Sequence, residues 1–365
     1  MPEAYEHILV SKLRHLGDVV IITPLLRSLR SCYPRAVISV LVNRGTEGVL
    51  DGFPFVDRVL VLKRGKNALA DVMSQWHLIR DIRDLKADLF IALTGSDREA
   101  LYGFLSGAKR RIGFRSRKKK TFDRHFLFTE TVNPAPGLHI VDHQLEMLKH
   151  LACGPAGRDP VLYWSAEDEA ACNDRLSAAG ISAVDAYAVV HPTAPKGYKM
   201  WRMEGYAALC DYLHNTWHVP TVLISGPDKR ERTFLDGIRR RAEHTVHDLG
   251  GQVNLKELKA LIGRAALFVG VDSGPMHIAE AVGTPVVALF GSQDPERWGP
   301  RGAADIVVRK NWDCVPCRKE GCDGNGSWSR CLDELTVEEV LPAVALQMER
   351  IGDTGGERGR QPSHR

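Results

Sequence analysis

Short apolar runs recur along the chain, and the stretches between them carry apolar residues every three or four positions. Residues 7–10, 36–42, 58–62 and 87–93 read as strands, and 18–32 and 141–151 as helices with one apolar face. The second half repeats the pattern. Strands are predicted at 186–190, 221–225 and 268–271, with helices at 203–214, 229–243 and 255–264. Alternation of this kind predicts an α/β fold with parallel sheets and helices on both faces. Two successive doubly wound halves predict two Rossmann-like domains facing across a cleft. The boundaries fall at 1–160 and 161–351, joined near a Gly-, Ala- and Pro-rich stretch at 152–159. The C-terminal helix could pack back on the first domain. Residues 352–365 are polar and glycine-rich and read as a disordered tail.

Composition narrows the class. The 365 residues are 44% hydrophobic and 26% charged, as in ordinary globular proteins. No apolar run reaches the roughly eighteen residues that a membrane span needs. The N-terminus lacks the basic start and apolar block of a signal peptide, so a cytoplasmic protein is expected. Neither half carries G-x-G-x-x-G after its first strand, which argues against a dinucleotide oxidoreductase. The net charge is only +4, but residues 109–120, KRRIGFRSRKKK, hold basic side chains and no acid. With Phe114 interleaved, this block reads as a contact for an anionic partner.

Candidate chemistry clusters after the strands. Phe268-Val269-Gly270-Val271 runs into Asp272-Ser273-Gly274-Pro275-Met276-His277, where a helix opens. A helix start offers unpaired N–H groups and the positive end of the dipole, which suits a phosphate. Ser273 adds a hydroxyl, Gly274 permits close approach, and His277 lies one turn on. After the strand at 186–190, Thr193, Lys196 and Lys199 lie in a loop ending at Trp201, which reads as a packing residue. A third junction holds Asp228 and Glu231. In the first half, Lys12-Leu13-Arg14-His15-Leu16-Gly17-Asp18 follows the first strand. This places the Asp18 carboxylate at the cleft edge, either as a base or as a helix cap.

The run from Asp272 through Pro285, Leu289-Phe290-Gly291 and Asp294-Pro295 resembles the signature of the lipopolysaccharide heptosyltransferases, glycosyltransferase family 9. Glu280 and Gln293 depart from its usual residues. The first loop is similar to the family's K-x-[RS]-x-x-G-D loop, and with Arg14-His15 looks closest to the heptosyltransferase III branch. The resemblance implies a GT-B architecture, an acceptor domain followed by an ADP-sugar domain, and inverting transfer of heptose from ADP-heptose to the lipopolysaccharide inner core. It implies Asp18 as the base, and Thr193 and Lys199 at the donor diphosphate. It implies an acidic residue, Asp228 or Glu231, at the ribose, and Asp272 at the sugar hydroxyls. It implies no required cofactor, since Lys199 would replace a metal ion. Lys12, Arg14, Arg115, Arg117, Lys118 and Lys119 would meet the phosphorylated lipid A–core oligosaccharide and the cytoplasmic face of the inner membrane, with no nucleic acid involved. The rivals are another acceptor or sugar on the same architecture (an O-antigen or protein heptosyltransferase, or a sugar-nucleotide epimerase), or a silent nucleotide-sugar-binding module.

Cysteines leave two readings open. Cys32, Cys153, Cys172 and Cys210 are expected to be buried thiols, because a reducing cytoplasm disfavours disulfides. Cys314, Cys317, Cys322 and Cys331 form C-x2-C-x4-C-x8-C, which has the span to hold structural zinc or to remain as free or redox-active thiols.

Overall fold

The structure is a computed structural model that describes residues 4–115, 124–182 and 186–353. The chain divides into two compact units, Met1–Pro160 and Val161–Arg365. The first holds β1 (His7–Lys12), β2 (Val37–Asn43), β3 (Arg58–Leu62), β4 (Leu89–Ala92), β5 (Arg110–Phe114) and β6 (Glu130–Val132). Its helices are α1 (Leu16–Ile21), α2 (Thr23–Cys32), α3 (Ala68–Asp84), α4 (Asp97–Leu105) and α5 (Ile140–Leu145). The strands lie parallel in the order β3-β2-β1-β4-β5-β6, with Ile8 of β1 opposite Ile38 on one side and Leu89 on the other. Central strands are buried on both faces, so they read as unbroken apolar runs rather than alternating ones.

The second unit repeats this order. It holds α6 (Ala166–Ala178), β7 (Ala188–His191), α7 (Met203–Trp217), β8 (Thr221–Leu223), α8 (Lys229–Arg239), β9 (His247–Asp248), α9 (Leu255–Gly263), β10 (Leu267–Val271), α10 (Gly274–Val282), β11 (Val286–Leu289), α11 (Pro295–Trp298), β12 (Ile306–Val308), α12 (Arg330–Asp333) and α13 (Val337–Asp353). The order β9-β8-β7-β10-β11-β12 matches that of the first sheet position by position. In each sheet the direction of winding reverses beside the first strand, between β1 and β4 and between β7 and β10. Loops leaving the strand ends at such a reversal form the crevice where α/β proteins bind ligands.

Several local expectations are corrected. The predicted helix 18–32 is two helices, broken at Ile22, because Pro24 has no N–H to continue the ladder. The helix predicted at 141–151 is α5 followed by a 3-10 segment, Glu146–Leu151. The helix predicted to reach residue 243 stops at Arg239, and Asp211 instead accepts from the backbone N–H groups of Glu243 and His244. α13 packs on α7, β11 and β12 of its own unit, with Val340 and Val344 in a core that includes Trp201 and Leu213. Gly352 and Asp353 belong to that helix, and the remainder of the expected tail lies outside the described residues.

Cys32 and Cys153, expected as thiols, form a disulfide with Cα atoms 6.0 Å apart. The segments meet because Tyr33 donates to the Leu151 carbonyl at 3.0 Å and the Ala156 N–H donates to Ser28 Oγ at 3.0 Å. Cys172 and Cys210 are buried thiols, as expected. Burial pushes each of them up to about 12. Cys314, Cys317, Cys322 and Cys331 are free, and no group of three or more metal-ligating side chains is gathered among the described residues. No helix among them is long and apolar enough to cross a membrane.

Candidate functional site

In the second unit the winding reversal brings together the loops after β7 and β10. Lys199 Nζ lies 2.6 Å from Asp272 Oδ2, and the two side chains are 25% and 10% exposed. The same ammonium is 3.5 Å from the Asp272 carbonyl. Asp272 and Lys199 therefore neutralise each other, whereas their separate roles in the sequence reading placed one at the sugar and the other at the diphosphate. Ser273 is the N-cap of α10, but its side chain does not cap the helix. Its Oγ lies 3.0 Å from His191 Nδ1 at the end of β7. Burial pushes His191 down to about 4, so the ring is neutral near pH 7 and adds no charge beside Lys199. In the first turn of α10 the N–H groups of Gly274 and Met276, on either side of Pro275, have no intrahelical acceptors and can serve an anion.

Neighbouring candidates have structural tasks. Thr193 is fully buried, and its hydroxyl donates to Glu231 Oε2 at 2.9 Å. The same oxygen accepts from the Gly226 N–H at 2.8 Å, so Glu231 ties the β7 and β8 loops together. Asp228 is exposed and caps α8 by accepting from the Arg230 N–H at 2.8 Å. Of the two acids, only Glu231 links these loops. His277 is buried, 3.9 Å from Glu280 through Nδ1. Trp201 is a packing residue whose Nε1 donates to the Leu335 carbonyl at 2.7 Å.

In the first unit the loops after β1 and β4 meet in the same manner. Lys12 is 2% exposed, with Nζ 3.2 Å from Asp18 Oδ1. Lys12 is thus a buried partner of Asp18 and not an accessible cation for an acceptor. Asp18 sits in the first turn of α1, but the N-cap is His15 and has no side-chain bond, so Asp18 is not acting as the cap. Arg14 is exposed and holds the loop through its carbonyl, which accepts from Asn43 Nδ2 at 3.0 Å.

The second-unit constellation lies within the stretch that family comparison recognises, and the Lys12–Asp18 pair precedes it. Residues 75–326 match the model of glycosyltransferase family 9 (heptosyltransferase). The chain belongs to this family. A lipopolysaccharide heptosyltransferase 3 of Escherichia coli is 32% identical over 79% of the chain and 84% of that relative, in keeping with the branch read from the first loop. Among solved structures, a family 9 glycosyl transferase from Veillonella parvula is 23% identical and superposes with a TM-score of 0.83 over 96% of this chain and 99% of its own. Escherichia coli heptosyltransferase WaaC with ADP-2-deoxy-2-fluoro heptose is 18% identical, with a TM-score of 0.68 over 93% and 99%. Family 9 membership makes the chain a glycosyltransferase of GT-B architecture, with two parallel six-stranded sheets.

Sequence reasoning passed over two features of this family 9 chain. Glu99 is fully buried and accepts from Ser11 Oγ at 3.1 Å and from the Thr94 N–H at 3.0 Å. Burial raises its pKa, and the charge of Lys12 offsets that rise only in part. Lys12 therefore pairs with Asp18 and also acts on Glu99 through its charge. The signal was present as the capping box Ser96-Asp97-Arg98-Glu99, whose acid turns back toward the β1 loop. The second feature is Tyr198, 5% exposed, which accepts from Gln293 Nε2 at 3.5 Å and so joins the Lys199 loop to the unusual residue of the signature.

The basic block divides on inspection. Arg110 and Arg111 lie in β5. Arg110 makes a two-pronged pair with Glu130 at 2.7 and 3.1 Å, and Arg111 donates to the Leu127 carbonyl at 2.8 Å. Phe114 is buried and stacked on His143 at 4.2 Å, so it is no platform for a partner. Arg115 is exposed. Arg117, Lys118 and Lys119 lie outside the described residues.

Proposed function

We propose that this chain transfers L-glycero-D-manno-heptose from ADP-heptose to the inner core of lipopolysaccharide, with inversion at the anomeric carbon. The observation that carries the reading is the pairing of Asp272 with Lys199 at the start of α10, set at the winding reversal of the second sheet. A cation, the free N–H groups of Gly274 and Met276 at the helix start and a neutral His191 form an anion site that needs no metal to balance a diphosphate. On arrival of the donor, Lys199 shifts from Asp272 to the phosphates, and Asp272 becomes free to accept from sugar hydroxyls. Asp18, oriented by Lys12, takes the proton from the acceptor hydroxyl as the new bond forms and ADP leaves. In this reading the first unit handles the acceptor and the second the nucleotide sugar. The protein works in the cytoplasm, at the inner face of the membrane that carries its acceptor. The test is incubation with ADP-heptose and a set of truncated lipopolysaccharides, with mass spectrometry of the products. Gain of one heptose on a single core truncation supports the reading. Donor binding without transfer to any core acceptor overturns it and favours a binding module or another acceptor.

A further inference from the structure

α3 is apolar on two opposite faces. One face carries Leu78 and Ile82 into the core of the first unit. The other carries Leu69, Val72, Met73 and Trp76, which recur at the i, i+3, i+4, i+7 spacing of one helix stripe. They are 73%, 65%, 54% and 60% exposed. Helix geometry puts Arg80, Arg83 and Asp84 on the continuation of that stripe, and the Arg80 guanidinium lies 5.6 Å from the Trp76 ring centre and 3.9 Å from Asp81. Lys63, Arg64 and Lys66 are exposed or half-exposed just before the helix begins. α4, which packs beside α3, exposes Phe104 as well.

We infer that this face of α3 is a membrane-docking surface that lays its apolar stripe into the headgroup boundary of an anionic bilayer. Three observations select that occupant. The stripe is one helix wide, a few hundred Å² at most, which is well short of the ~1,600 Å² that a stable protein interface buries. Lys63, Arg64 and Lys66 give the N-terminal end of the stripe an unbalanced positive charge, where their stems can lie along lipid while their charges reach phosphates. Trp76 stands next to Arg80 at the boundary between the apolar and cationic parts, as interfacial aromatic residues do. The surface goes beyond the proposed transfer. It rests on that reading only for its purpose, which is to hold the enzyme beside a lipid-linked acceptor.

The test is co-sedimentation with vesicles of phosphatidylglycerol and phosphatidylethanolamine, against phosphatidylcholine vesicles, at low and high salt. Neither donor nor lipopolysaccharide is present, so the result does not depend on the transfer reaction. The variant L69Q/V72T/M73Q/W76Q keeps the charge unchanged and alters only exposed side chains. Unchanged circular dichroism and ADP binding confirm its fold. The expected result is binding of the wild type to the anionic vesicles, lowered at least about tenfold in the variant. High salt weakens the wild type but leaves a remainder that the variant lacks. Equal binding of wild type and variant, or no binding by the wild type, overturns the proposal. So does self-association of the wild type that the variant abolishes while lipid binding is unaffected, since the stripe would then serve a second copy.

Discussion

Replacing Lys199 and Asp272 singly and together separates attraction to the diphosphate from pairing within the protein. The pair is closed at 2.6 Å, and Lys199 is a quarter exposed while Asp272 is nearly buried. Breaking a fully buried pair from one side costs about 3–5 kcal/mol, and breaking an exposed one about 0–1. Lys199→Ala should therefore destabilise the ligand-free protein by an intermediate amount, about 2 kcal/mol. The same change removes a charge-assisted contact to phosphate worth about 1.5–3 kcal/mol, so ADP should bind about 10- to 100-fold more weakly. Asp272→Asn acts in the opposite sense. It releases Lys199 and removes a negative charge from the phosphate site, so ADP should bind as well as before or up to about tenfold tighter. Titration calorimetry with ADP is the assay, because ADP has no heptose and leaves any contact between Asp272 and the sugar out of the measurement. Thermal melts of the same proteins report the stability term. If Asp272→Asn weakens ADP as much as Lys199→Ala does, the carboxylate is holding the lysine in its binding position, and Lys199 does not exchange Asp272 for the phosphates.

Asp18→Asn should lower transfer by about a hundredfold or more, the scale of general-base catalysis, with ADP affinity unchanged; turnover within threefold of wild type would reject Asp18 as the base. Lys12→Met leaves Asp18 without its buried partner and should cost about 3 kcal/mol in urea unfolding, with part of that loss recovered when Asp18→Asn is added. If the single change costs nothing, the charge arrangement at β1 is misread. The depressed His191 pKa makes the unfolded chain bind a proton that the native ring refuses. Its contribution is present above pH 6.5 and lost as pH falls toward 4, by up to about 3 kcal/mol. His191→Gln should accordingly flatten the stability profile over that window. EDTA should leave transfer intact, and a strict need for added magnesium would count against Lys199 as the neutralising cation.

The alternation of strands and helices was legible because the central strands are buried on both faces and stand out as apolar runs. β5 was not. Arg110 and Arg111 gave it the look of a charged loop, and their partners, Glu130 and the Leu127 carbonyl, come from the turn and strand that follow it. The break at Ile22 was readable from Thr23-Pro24, but the apolar face continues through it and hid the boundary. At the candidate site, Asp18, Lys199 and Asp272 were singled out from local motifs. Lys12 and Asp18 flank a single β1–α1 turn, but that Lys199 pairs with Asp272 depends on which loops the sheet order brings together, and no local pattern states it. Thr193 reads as a phosphate ligand by type and position, yet its hydroxyl is committed to Glu231 on a loop reached only through β8.

The identical strand order of the two sheets, each built from one continuous stretch of chain, makes this a protein that can be cut in two. No strand of either sheet is borrowed across Pro160, and α13 closes the core of the half from which it emerges. A fragment beginning at Val161 and ending at Asp353 carries its own core and the whole of the Lys199–Asp272 constellation. Produced by itself, it should be a folded nucleotide receptor without a reaction, and mixing it with the complementary fragment would ask whether covalent continuity is needed for transfer at all.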